Sequence, residues 1–94
     1  MIPDEKMTLF FNAVFAKDTT LLSLHKLFLT EITNSGYSAR QFLEQFASLL
    51  LKSEKKQGLP EAFLKIADAE ASMLNGADGS LQVMKILSFL IHSR

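Results

Sequence analysis

At 94 residues, 48% hydrophobic and 21% charged, the chain has material for one core and is too apolar for a disordered segment. Ten Lys and Arg balance ten Asp and Glu, so no net field draws it to a phosphate backbone or an anionic membrane surface, which argues against a stand-alone nucleic-acid binder. The absence of cysteine excludes disulfides, thiolate nucleophiles and Cys-containing zinc sites.

Apolar residues recur at helical spacing with no competing strand alternation, and the predicted fold is all-α, a single five-helix bundle over residues 1–94. The opening Met1-Ile2-Pro3-Asp4-Glu5 has none of the basic and apolar character of a secretion signal. A first helix is expected to open with Pro3 at its first position, with Asp4 and Glu5 facing the positive end of the dipole. Its stripe reads Met7, Phe11, Val14, Phe15. A second helix is expected from Asp18, with the stripe Leu21, Leu24, Phe28, Ile32 and a stop at Gly36.

The third helix has the clearest start. Ser38 is the expected N-cap, Gln41 completes a capping box, Tyr37 staples onto Phe42, and Phe42, Leu43, Phe46, Leu49 and Leu50 face inward. The polar stretch Lys52 to Gly58 reads as the longest loop, and its Lys52, Lys55 and Lys56 as a solubilising turn. A fourth helix restarts with Pro60 at its first position, with Leu64, Ala67, Ala71 and Leu74 along one side, and ends at Asn75-Gly76. The fifth opens from Asp78 or Ser80. Its Leu81, Val83, Met84, Ile86, Leu87, Phe89, Leu90 and Ile91 run nearly all the way round, which demands burial on more than one side. Gln82, Lys85 and Ser88 interrupt this run, which falls short of the ~20 residues that span a bilayer, so no membrane contact is expected.

Chemistry is hard to place. No glycine-rich loop prepares a nucleotide site. His25 and His92 belong to no catalytic signature, and His92 suits the negative end of the last helix. Asp68 and Glu70, two apart on a helix, point in different directions and cannot share a metal. A helix-turn-helix use of the third helix is disfavoured, because Arg40 is its one arginine and Glu44 would face phosphates. Catalytic, cofactor-binding and metal residues are therefore read as none. The apolar excess of the last helix points instead to a subunit interface at Leu81, Gln82, Met84 and Phe89.

The order of features resembles a known family. Ile2-Pro3-Asp4-Glu5-Lys6, the stop at Gly36, the restart Tyr37-Ser38-Ala39-Arg40-Gln41-Phe42-Leu43, and Asn75-Gly76-Ala77-Asp78 leading through Leu81-Gln82 into an apolar helix are similar to the C-terminal domain of replication factor C small subunits. Gln82 falls where that family carries a glutamine, while Lys55-Lys56-Gln57-Gly58 and the leucine-rich second helix depart from the pattern. The resemblance implies a non-catalytic oligomerisation (collar) domain of a pentameric sliding-clamp loader, whose partners are the other replication factor C subunits. It further implies that ATP and Mg belong to an N-terminal AAA+ ATPase region outside this chain. The sliding clamp and primer-template DNA would be reached through the parent protein, in the nucleus, or in the cytoplasm of an archaeon. The alternative reading is an unrelated helical protein-protein interaction module.

Overall fold

The computed structural model describes residues 1–53 and 59–93; its described elements are five helices, and no strand occurs among them, so the all-α reading is confirmed. They are α1 (Asp4–Phe15), α2 (Leu21–Phe28), α3 (Ala39–Lys52), α4 (Leu59–Leu74) and α5 (Gly79–Ser93). The expected loop at Lys55, Lys56 and Gly58 lies outside the described residues, and Lys52 is the last residue of α3.

Pro3 precedes α1 instead of opening it: its extended backbone makes it the N-cap, and its carbonyl accepts from the N–H groups of Lys6 and Met7. Phe10, not Phe11, completes the buried stripe with Met7 and Val14, while Phe11 and Phe15 are half-buried against the core. The second helix starts later than expected. Thr20, not Asp18, is its N-cap, accepting from the Ser23 N–H at 3.2 Å while Ser23 Oγ accepts from the Thr20 N–H at 3.3 Å. Leu24, Phe28 and Ile32 are buried as the stripe requires, but Leu21 is exposed.

α2 then widens into one π-helical turn, Leu29–Thr33, in which the Asn34 N–H donates to the Leu29 carbonyl at 2.9 Å. Lys6 braces this turn from α1: Nζ donates to the Glu31 carbonyl and to Ser35 Oγ, and pairs with the Glu31 carboxylate at 3.3 Å. Gly36, at φ +88°, ends it in a Schellman motif, the Tyr37 N–H reaching Ile32 O and the Gly36 N–H reaching Thr33 O.

At α3 the expected capping box is present, with the Gln41 N–H donating to Ser38 Oγ at 3.1 Å and the Ser38 N–H to Gln41 Oε1 at 2.9 Å. Ser38→Ala should cost about 1 kcal/mol and lower Tm by roughly 4–8 °C in a thermal melt. Phe42, Leu43, Phe46 and Leu50 are buried, and Leu49 is half-buried.

In the fourth helix Leu64, Ala67, Ala71 and Leu74 share one side as expected; that side is exposed, and the buried positions are Ala62, Ile66 and Ala69, with Met73 packed beside them. Pro60 is its second residue, not its first. Small residues let α4 lie close to α5, its most extensive partner. Gly76, at φ +95°, closes α4 with a second Schellman motif, and Asp78 Oδ1 accepts from the Leu81 N–H at 3.1 Å, making Asp78 the N-cap of α5.

α5 packs against all four other helices and is the axis of the core, burying Val83, Ile86, Leu87 and Leu90. The centre of the other helices is aromatic: Phe10, Phe28 and Phe42 meet edge-to-face, and Phe46 stacks on Phe42 at 5.5 Å. No buried residue among those described is polar or charged. At the amino end, buried Ile2 is held from both directions by one side chain: its N–H donates to Gln45 Oε1 and its carbonyl accepts from Gln45 Nε2, both at 2.9 Å.

Candidate functional site

With the interior complete, the informative surface is the outward side of α5. A helix turns 100° per residue, so Leu81, Met84, Lys85 and Ser88 lie opposite Val83, Ile86, Leu87 and Leu90. This outward row forms one wall of an open groove of about 760 Å³. α4 supplies the other wall through Lys65, Asp68, Ala69 and Ser72, and Leu21 at the start of α2 reaches the same groove.

All four residues that the sequence singles out, Leu81, Gln82, Met84 and Phe89, line it. Leu81 is 64% exposed, whereas Gln82, Met84 and Phe89 are half-buried, with Met84 and Phe89 also packed against the core. Lys65 Nζ stands 5.0 Å from the centre of the Phe89 ring, a cation-π contact at the rim. The sequence does not point to Leu21, Lys65 or Ser72, which join the groove through helix packing; the leucine run that opens α2 is the one available hint. The groove is mixed in character: Leu21, Leu81, Met84 and Phe89 offer apolar surface, and Lys65, Asp68, Ser72, Gln82, Lys85 and Ser88 place polar and charged groups among them.

The other candidates are engaged elsewhere. Arg40 pairs with Glu44 at 3.4 Å on α3, away from the groove. His25 is half-buried within α2. His92 Nδ1 lies 2.6 Å from the Ser88 carbonyl and 3.5 Å from Ser88 Oγ. A carbonyl only accepts, so Nδ1 carries the proton and is not a base for the Ser88 hydroxyl. Among the described residues no three His, Asp or Glu side chains converge as metal ligands, and no helix is long and apolar enough to cross a membrane.

Neither the curated proteins nor the solved structures compared with the chain contain a match. The family model of the replication factor C C-terminal domain, in contrast, matches residues 2–88, from the clamped Ile2 to the outward face of α5. The chain is thus a member of the replication factor C C-terminal domain family.

Proposed function

We propose that this domain is a non-catalytic oligomerisation module, the collar of a clamp-loader subunit, and that the groove between α4 and α5 is one of its contact surfaces. The observation that carries the reading is the outward face of α5: after four helices have covered its inner side, it still presents Leu81 and Met84 to the groove it shares with α4. A domain of this size leaves part of its apolar surface uncovered, and a contiguous groove is where a partner recovers it. The partners are the C-terminal domains of the other replication factor C subunits, in a pentameric ring. That ring spaces the AAA+ ATPase modules of the parent proteins, which act on the sliding clamp at primer-template DNA in the nucleus, or in archaeal cytoplasm.

The test is co-expression with the C-terminal domains of the other subunits, followed by purification of the mixed assembly. Leu81→Glu places a charge in the groove at an exposed position, so it should weaken assembly at least ~30-fold while leaving the circular dichroism melt unchanged. Met84 and Phe89 are poorer probes because they also support the core. Undiminished co-purification of the Leu81→Glu variant would remove the groove from the interface.

A further inference from the structure

Asn75-Gly76 ends α4, and the same dipeptide carries a chemistry that the fold does not use. An asparagine side chain is labile, and most so before glycine, because no Cβ hinders the approach of the next main-chain nitrogen to the amide carbon. Both residues are exposed, and nothing stands within 4 Å of the place a Cβ would take on Gly76. The chain's other asparagines lack this opening: Asn12 precedes Ala13 within α1, and Asn34 precedes Ser35.

In the closed corner between α4 and α5 both reacting groups are engaged. Asn75 Nδ2 donates to the Ala71 carbonyl at 3.2 Å, which turns the side chain back along α4. The Gly76 N–H donates to the Met73 carbonyl at 3.1 Å, and the Ala77 N–H to the Ser72 carbonyl at 2.9 Å. These are surface hydrogen bonds with open space beside Gly76, and such segments open locally at far less cost than the core.

We propose that Asn75 is a site of spontaneous deamidation, gated by opening of the α4–α5 corner. The Gly76 nitrogen attacks Asn75 Cγ: the N–Cγ bond forms, the Cγ–Nδ2 bond breaks, and Nδ2 leaves as ammonia with the proton that Gly76 gives up. Water then opens the cyclic imide at either carbonyl, leaving aspartate or isoaspartate; water is the sole co-reactant, and nothing is oxidised or reduced. Neither product restores the cap. A carboxylate cannot donate to the Ala71 carbonyl, and it sits at the negative end of the α4 dipole. Isoaspartate also routes the main chain through Cβ and Cγ, which lengthens the segment that the Gly76 and Ala77 hydrogen bonds must close. Each opening that reacts is therefore permanent.

Peptide mapping by mass spectrometry of the chain kept at neutral pH, folded and in guanidinium chloride, tests this. Asn75 should react first in both samples, and ~10–100-fold more slowly when folded. That slowing should match the hydrogen-exchange protection of the Gly76 amide and fall well short of that of the amide of buried Leu87. Anion exchange then isolates the reacted chain by its added negative charge, and its Tm should lie roughly 2–6 °C below that of the unreacted chain. Slowing equal to the protection of Leu87 would mean that only global unfolding admits the reaction, and no slowing would mean that the closed corner protects nothing; either overturns the inference. So does earlier reaction at Asn12 or Asn34, a folded chain that never reacts while the unfolded one converts, or a reacted fraction that melts with the unreacted one.

Discussion

Phe42→Ala should destabilise the domain by about 3–5 kcal/mol, the largest effect of any single truncation proposed for it, and lower Tm by roughly 15–30 °C. Phe42 is fully buried and meets three other rings of the aromatic cluster: Phe10 at 4.9 Å, Phe28 at 5.3 Å and Phe46 at 5.5 Å between centroids. Truncation leaves a cavity and removes three ring pairs, each worth ~0.5–1.5 kcal/mol beyond the area it buries. The net stability of a domain is about 5–15 kcal/mol, so this loss removes a large fraction of it. Phe15→Ala is the control. Phe15 is half-buried at the edge of the core, its ring 4.9 Å from that of Phe11, so urea midpoints should separate the two variants clearly. Equal losses would mean that α1, α2 and α3 are not organised around Phe42.

The second large effect runs against helix propensity. Gly79 is the first residue of α5, and replacing a helical glycine by alanine ordinarily gains about 0.5–1 kcal/mol. Here a Cβ would stand 2.7 Å from Ala39 Cβ and 3.2 Å from Met73 Sδ. The methionine end can swing aside, but the Ala39 Cβ is fixed to the first turn of α3. Gly79→Ala should therefore destabilise by ~1–3 kcal/mol, and Ala39→Gly in the same chain should restore much of the loss. A thermal melt of the two single variants and the double one decides it. A higher Tm for Gly79→Ala alone would show that the helix corner yields freely.

These two sites show what sequence reasoning can reach. The Ser38-Gln41 box and the glycine stops at Gly36 and Gly76 were legible because capping needs particular atoms at fixed spacing. The Thr20-Ser23 box was harder to see, since serine substitutes for the usual Glu or Gln at its third position. Nothing in Leu29–Thr33 signals a π-helical turn, whose brace arrives from Lys6 in another helix. In α4 the sequence marks one side but not which side is buried: Leu64 and Leu74 outweigh Ala62 and Ala69 on any hydrophobic count, yet the alanines are the buried ones. The α5 wall of the groove could be anticipated because its residues are all-round apolar within one segment. The α4 and α2 contributions depend on how three helices cross, which no local pattern records.

The hold of Gln45 on Ile2 has a mechanical consequence. A side-chain amide that both accepts from and donates to one residue's main chain imitates a rung of a β-ladder, and it does so from the middle of a helix. A pull on the chain at Met1, which is exposed, thus enters the domain through two parallel hydrogen bonds and the buried Ile2 side chain, and passes directly into α3. The amino end is therefore tied to α3 through space as well as to α1 through the backbone, and an unwinding first turn of α1 would not by itself release Ile2.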